Sequence, residues 1–172
     1  MKRLAIPLVA SLLLGVFGAS AMAQDAPPPP PKAMKAGDAV PAWKTKELGS
    51  GTEVSSEMLK GDDYALVFVN SSCASCRSEL SELKKREFKN LKVYVLSVDA
   101  NPEKALTVYK ESLSVPFPIL DDSTLAVSDV FDFAFTPASV IVKKGNVLDK
   151  RFVGFSKRIQ GDITKAFDAY AK

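Results

Sequence analysis

Residues 64–98 read YALVFVNSSCASCRSELSELKKREFKNLKVYVLSV. Two apolar runs rich in β-branched and aromatic residues, 64–69 and 93–98, are typical of strands buried on both faces. Between them, leucine and phenylalanine recur at helical spacing and predict a helix over residues 76–88. A strand, a helix and a strand in this order form a βαβ unit, in which the two strands run parallel.

The chain after this unit continues the alternation of helices and strands. Asn101 and Pro102 suit the cap and first turn of a helix, and Lys144-Gly145-Asn146 is a tight-turn signal between two strands. The later segments predict, in order, a helix over 102–113, a short helix over 124–131, strands over 138–142 and 147–153, and a closing helix over 159–170. The predicted fold class is therefore α/β, a mixed sheet flanked by helices.

The N-terminal segment has the pattern of a secretory leader. Lys2 and Arg3 precede an apolar run, which ends in the small-residue sequence Ala21-Met-Ala23. We expect a cleavable signal peptide over residues 1–23, and hence a periplasmic or other extracytoplasmic location.

Residues 24–36 contain five consecutive prolines, at positions 27–31. This proline run predicts a stiff tether. Residues 37–172 fit one globular domain, with no later apolar run long enough to span a membrane.

Charge and composition narrow the classes of function. The formal net charge is +3, and two of the positive charges belong to the leader, so the domain lacks the basic character of a nucleic-acid-binding protein. The absence of His excludes His-based metal sites, Ser-His-Asp triads and Cys-His nucleophile pairs. With two cysteines, the chain also lacks the roughly four ligands of a zinc site. We expect no metal, no cofactor and no nucleic-acid partner.

The two cysteines, Cys73 and Cys76, stand at the predicted strand-to-helix turn. A Cys-x-x-Cys at such a turn is a strong redox signal, because a helix N-terminus lowers the pKa of a thiol and the spacing lets the second thiol resolve a mixed disulfide. A passive disulfide and a soft-metal site are the alternatives. A bridge across four residues closes almost no loop, however, and so stabilises little. The pair predicts thiol–disulfide exchange in an oxidising compartment.

Several motifs are similar to those of a known family. They are the strand followed by the Cys-x-x-Cys, Gly37-Asp-Ala-Val-Pro-Ala-Trp43, Ser97-Val98-Asp99, Pro116-Phe-Pro-Ile-Leu-Asp121 and Thr136-Pro137-Ala138-Ser139. Together they resemble the TlpA/ResA-like branch of the thioredoxin-like redoxins over residues 37–172. The resemblance implies a thioredoxin-like fold and an enzyme that acts as an exported disulfide oxidoreductase, in the reductase direction. It also implies exported protein disulfides or thiols as partners and an upstream membrane electron donor.

The resemblance also implies roles for individual residues. Cys73 matches the exposed attacking cysteine, and Cys76 the resolving one. Pro137 matches a cis-proline that faces the disulfide, and Thr136 would offer backbone groups to a substrate strand. Glu79 matches the family's acid six residues after the first cysteine and is a candidate for proton handling. The alternative for Glu79 is an acid in the first helical turn that only complements the helix dipole.

Three positions depart from the family pattern. The usual Trp before the first cysteine is Ser72, the usual Pro before the second is Ser75, and the buried acid of thioredoxin itself falls at Val67. These departures bear on redox potential, partner docking and proton transfer. They leave the exchange chemistry of the cysteine pair intact.

Other functions remain as alternatives. A peroxiredoxin-like thiol peroxidase with antioxidant activity shares the Ser97-Val98-Asp99 region, but neither cysteine follows the Pro-x-x-x-Thr/Ser-x-x-Cys pattern of such enzymes. A copper(I) carrier can use two thiolates, although carriers on this fold commonly add a His. The intact Cys-x-x-Cys argues against a redox-inert interaction module.

Overall fold

A computed structural model describes residues 33–171 of the chain. The predicted signal peptide, residues 1–23, and residues 24–32 of the predicted tether lie outside the described residues. Within residues 33–171, none of the helices has the length and apolar character needed to cross a membrane.

The described part of the chain alternates strands and helices. Its elements are, in chain order, β1 (Lys44–Lys46), β2 (Glu53–Ser55), α1 (Ser56–Leu59), β3 (Tyr64–Val69), α2 (Ala74–Leu83), β4 (Lys92–Ser97), α3 (Pro102–Thr107), a π-helical turn (Val108–Ser112), β5 (Ile119–Asp121), α4 (Ala126–Val130), β6 (Ala138–Lys143), β7 (Val147–Val153) and α5 (Lys157–Asp168).

A five-stranded mixed sheet forms the centre of the fold, in the order β5-β4-β3-β6-β7. Strands β3, β4 and β5 run parallel, whereas β6 is antiparallel to β3 and to β7. Strand β3 is fully buried along its length, which explains its unbroken apolar sequence. The parallel pairing of β3 with β4 confirms the predicted βαβ unit.

Hydrophobic cores cover both faces of the sheet, because successive residues of β3 point to opposite sides. Leu66 and Phe68 pack in one core with residues of the N-terminal segment and α4, including Trp43 and Phe131. Ala65, Val67 and Val69 pack in the other core with residues of α2, the π-helical turn and α5, including Cys76, Leu80, Tyr109, Ile163 and Phe167. The sheet therefore holds α2 rigidly against the face that carries Val67.

Helix α2 differs from the predicted helix at both ends. It begins at Ala74 rather than residue 76, because Cys73 serves as its N-cap, and it ends at Leu83 rather than residue 88. The chain leaves the helix early so that Phe88 can pack against the rings of Phe117 and Phe167.

The predicted helix over 102–113 is α3 followed by the π-helical turn, and the predicted helices over 124–131 and 159–170 are α4 and α5 with shifted ends. The β6–β7 hairpin is confirmed, and its turn places Gly145 and Asn146 at positive φ, as tight hairpin turns require. Sequence patterns missed β1, β2, α1 and β5, each of which spans only three or four residues. Periodicity needs longer segments than these to distinguish a strand or a helix from a loop.

Candidate active site around Cys73 and Cys76

The cysteine pair lies where the carboxyl end of β3 leads into α2. Cys73 is the N-cap of α2, and its Sγ accepts a hydrogen bond from the backbone N–H of Cys76 at 3.2 Å. The two cysteines form a disulfide with Cα atoms 5.3 Å apart. An N-cap position places a sulfur against unsatisfied backbone N–H groups, and these groups favour its thiolate form when the disulfide opens.

The two sulfurs differ in their access to solvent. Cys73 is partly exposed, whereas Cys76 is completely buried. The Oγ of Ser75 lies 3.2 Å from the Sγ of Cys73, so a hydroxyl stands where the family usually has proline. Because a partner can reach only Cys73, the geometry matches an attacking Cys73 and a resolving Cys76.

The loop before β6 faces the exposed sulfur. The Thr136–Pro137 peptide bond is cis, which confirms the predicted conformation, and the carbonyl oxygen of Thr136 lies 4.0 Å from the Sγ of Cys73. Thr136 is half-buried and Pro137 is buried. The half-buried Thr136 therefore lies beside the exposed sulfur of the pair.

Glu79 does not lie in the first turn of α2. It is the sixth residue of the helix and is only 4% exposed, so the alternative of an acid in the first helical turn that complements the helix dipole is wrong. Residues three apart on a helix are neighbours, and Cys76 therefore lies one turn before Glu79 on the same buried face. This spacing places the carboxyl group close to Cys76.

The surroundings of Glu79 bring the pKa of its carboxyl group close to neutral pH. Burial raises the pKa of Glu79 to about 7, against the opposing effect of a hydrogen bond from Ser139. The Oγ of Ser139 donates to Oε1 at 2.6 Å, whereas Oε2 is buried without a partner among the described residues. Glu79 also lines a cavity of about 330 Å³ between α2 and α5. The group is thus poised to exchange a proton.

Ser139 contacts Glu79 and also faces Val67, the position at which thioredoxin itself carries a buried acid. Ser139 lies on β6 directly opposite Val67 of β3, and both side chains are fully buried. Side chains that face each other across a strand pair lie about 5 Å apart. A carboxyl group from helix α2 therefore approaches the region where thioredoxin places an acid on the strand.

A second buried carboxylate, Asp99, holds the loop before the cysteines. It accepts hydrogen bonds from the backbone N–H and the Oγ of Ser71, the latter at 2.6 Å. The Oγ of Ser97 at 2.7 Å and the phenol of Tyr109 at 2.9 Å complete its set of donors. Because Ser71 is two residues before Cys73, this network ties the cysteine loop to β4 and the π-helical turn.

The model of the AhpC/TSA family matches residues 36–153, which is more than half of the chain. The chain belongs to the AhpC/TSA family. No curated protein matches the sequence of this AhpC/TSA protein closely enough to serve as a relative.

Solved structures share the fold of this AhpC/TSA protein. One is the thioredoxin domain of a thiol-disulfide oxidoreductase from Bacteroides vulgatus, 18% identical over 78% of this chain and 99% of that chain, with a TM-score of 0.62. A protein described as a thioredoxin from Neisseria meningitidis is 26% identical over 76% and 88%, with a TM-score of 0.63. A secreted disulfide oxidoreductase of Mycobacterium tuberculosis, homologous to E. coli DsbE, is 16% identical over 74% and 95%, with a TM-score of 0.58.

These similarities confirm the predicted thioredoxin-like α/β fold. They also agree with the resemblance to the TlpA/ResA-like branch of the redoxins.

The structure adds residues to the site that sequence patterns did not single out. Ser139 and Asp99 fall within motifs that carried the resemblance, yet nothing in the pattern shows that they contact Glu79 and the cysteine loop. Phe135 and residues of α4 line a groove beside Cys73. In the AhpC/TSA protein, no three His, Cys, Asp or Glu side chains of residues 33–171 gather as a metal site would require.

Proposed function

We propose that this protein is a thiol–disulfide oxidoreductase that reduces disulfides of exported proteins. The observation that carries the proposal is the disulfide itself, in which the exposed Cys73 stands beside the backbone of Thr136 while Cys76 is completely buried. This asymmetry gives the two cysteines different tasks. The leader pattern at residues 1–23 supports an extracytoplasmic location, where protein disulfides form and persist.

The reaction starts from the dithiol form of the protein. The Cys73 thiolate attacks one sulfur of the substrate disulfide, a new S–S bond forms, and the other substrate sulfur leaves as a thiolate that takes a proton. Cys76, once deprotonated, attacks the Sγ of Cys73 and releases the second substrate thiolate. Two electrons pass to the substrate, and the protein retains the Cys73–Cys76 disulfide. Exchange with a dithiol of an upstream membrane electron donor restores the reduced form.

Glu79 is the proposed base for the second step. Its place one turn after Cys76 and its unpartnered Oε2 allow the carboxylate to take the Cys76 proton as that thiol attacks. Catalytic bases work best when their pKa lies near the working pH, and burial brings the pKa of Glu79 to about 7. The chain contains no His that could take this role.

The match to the AhpC/TSA family supports a second candidate, a peroxiredoxin-like thiol peroxidase. In that reaction the Cys73 thiolate attacks the peroxide, an S–O bond replaces the O–O bond, and water or an alcohol leaves. Cys76 then attacks the Cys73 sulfenic acid, which releases water and forms the disulfide. Both candidates end in the same disulfide and differ only in the oxidant.

Single cysteine variants test the proposal. We expect Cys73→Ser to abolish reduction of insulin disulfides, because no other exposed thiol exists in the sequence. We expect Cys76→Ser to accumulate mixed disulfides with substrate, detected by mass spectrometry and reversed by dithiothreitol. Trapping through Cys76 in the Cys73→Ser variant would contradict the assigned roles.

Measurements on the reduced protein distinguish the two candidate oxidants, protein disulfides and peroxides, and show in which direction the protein exchanges disulfides. A reductase reacts much faster with protein disulfides than with hydrogen peroxide, and the reverse ranking would favour the peroxidase. A redox titration of the cysteine pair should give a midpoint more negative than the poise of the compartment. A more positive midpoint would indicate that the protein oxidises thiols of its partners instead.

A further inference from the structure

A groove of about 890 Å³ lies beside Cys73, between the cysteine loop, the segment before β6 and helix α4. Two apolar side chains on its lining are unusually exposed, Phe135 at 72% and Leu125 at 46%. Phe135 directly precedes Thr136, whose carbonyl faces the reactive sulfur. Apolar side chains that flank a reactive group in a groove are suited to contact with a partner.

The backbone holds Leu125 in place at the N-terminus of α4. Leu125 has φ 62° and ψ 13°, a left-handed conformation that a leucine rarely adopts. The side chain of Asp122 accepts hydrogen bonds from the N–H groups of Val127 and Ser128, while the Asp122 carbonyl accepts from the N–H of Leu125. Leu125 therefore remains exposed on a fixed backbone rather than on a loose loop.

The charged residues that line the groove are both acidic. Its lining residues include the exposed carboxylates of Asp129 and Asp132 and no Lys or Arg. Within residues 33–171, neither carboxylate has an ion-pair partner. Arg151 donates to the carbonyl oxygens of Phe131 and Asp132, so it holds the end of α4. Two carboxylates in a concave surface attract positively charged partners and raise their rate of association.

We propose that this groove selects, among cysteine-bearing segments of partner proteins, extended ones that carry an apolar residue next to the cysteine and a Lys or Arg within a few residues. The selection rests on the proposed thiol–disulfide exchange at Cys73. The apolar residue packs on Phe135 and Leu125, and the basic residue pairs with Asp129 and Asp132. The charge of the groove thus sets the substrate class, namely basic protein segments.

The test uses the full-length reduced protein and model peptides with one intermolecular disulfide. The peptides are identical except for Lys, Gln or Glu at two positions near the cysteine, and rate constants come from rapid mixing with acid quench. We expect the Lys peptide to react about 10-fold faster than the Glu peptide at low ionic strength, with the ratio falling towards one at about 1 M salt.

Variants locate the origin of the preference. We expect the double variant Asp129→Asn and Asp132→Asn to bring the Lys-to-Glu ratio close to one. Asp162→Asn, which removes an exposed carboxylate on α5 outside the groove, should leave the ratio as in wild type. Phe135→Ser should reduce the advantage of a peptide with Phe beside the cysteine over one with Gly by about fivefold.

Several outcomes would overturn the inference. The first is a wild-type Lys-to-Glu ratio near one, and the second is a ratio that the double variant retains. The third is that a second copy of the chain covers the groove, which sedimentation would show as a dimer that the double variant abolishes. The neutral compound 2-hydroxyethyl disulfide separates the two proposals. If it and all peptides fail to react, the proposed exchange itself fails; if all react at equal rates, only the groove selection fails.

Discussion

Two buried carboxylates near the cysteines have opposite surroundings. Asp99 accepts hydrogen bonds from three side-chain hydroxyls and one backbone N–H, so both of its carboxyl oxygens have hydrogen-bond partners. Glu79 accepts one hydrogen bond, from Ser139, and its Oε2 has no partner among the described residues. A buried carboxylate with many donors anchors structure, whereas one with few donors gains and loses a proton near neutral pH.

Replacement of Asp99 should have the largest effect on stability. Asp99→Ala leaves the Ser71 N–H and the buried hydroxyls of Ser97 and Tyr109 without their acceptor, so we expect a loss of about 4 kcal/mol in the free energy of unfolding, measured by urea denaturation. Tyr109→Phe removes only one of these bonds and should cost about 1 kcal/mol. Equal losses in the two variants would show that Asp99 is not the centre of the network.

Glu79→Gln should give the next largest effect, and the effect should depend on pH. The pKa of Glu79 rises from 4.5 to about 7 on folding, so the folded state holds a proton that the unfolded state has released. The wild-type protein therefore loses about 1.4 kcal/mol per pH unit, about 3 kcal/mol in total, as the pH rises from 4.5 to 7. The Gln variant carries no such proton and should not show this loss in pH-dependent urea denaturation of the disulfide form.

The same variant tests the role of Glu79 as a base. In wild type, the release of substrate from the mixed disulfide should accelerate as the pH rises through about 7, because the ionised carboxylate takes the proton of Cys76. We expect Glu79→Gln to slow this step about 10-fold at pH 8 and to remove the rise. Identical pH–rate profiles in both proteins would leave Glu79 with no part in the reaction.

Ser139→Ala should give the smallest effect. The Ser139 hydroxyl lowers the pKa of Glu79 by donating to Oε1, so its removal should raise that pKa above its wild-type value. The carboxyl carbon of Glu79, followed by NMR across the pH range, measures the shift. Ser128→Ala is the matched control, because the Ser128 hydroxyl donates to Asp122 instead. A shift of the Glu79 titration in this control would mean that the effect is not local.

The sequence allowed prediction of the elements that govern the site. Long apolar runs and a Cys-x-x-Cys between them were enough to predict β3, α2 and β4, and the Lys144-Gly145-Asn146 turn predicted the β6–β7 hairpin. These signals are local, and the apolar runs among them extend over six residues. Strand β5 escaped prediction because it has three residues and directly follows Pro118, so the sheet rather than local sequence determines it.

The chemistry of the site depended on contacts that no local pattern contains. Glu79 falls in a helix of mostly polar sequence, and its burial comes from packing against β6 and α5. The Glu79–Ser139 pair spans 60 residues of sequence, and the Ser71–Asp99 pair spans 28. The groove beside Cys73 likewise combines the cysteine loop with α4 and the segment before β6, which only the folded chain brings together.

Helix α2 has a mechanical consequence for the reaction. Cys73, Cys76 and Glu79 all belong to this helix or its N-cap, so a tilt of α2 moves the proposed nucleophile, the proposed resolving thiol and the proposed base together. Ser139 on β6 donates a hydrogen bond to Glu79, and the carbonyl oxygen of Thr136, in the segment before β6, lies near the Sγ of Cys73. A docking partner that tilts α2 away from β6 therefore stretches these contacts first. Such a tilt would change the pKa of Glu79, whereas the distance between Cys76 and Glu79 would stay the same because both lie on α2.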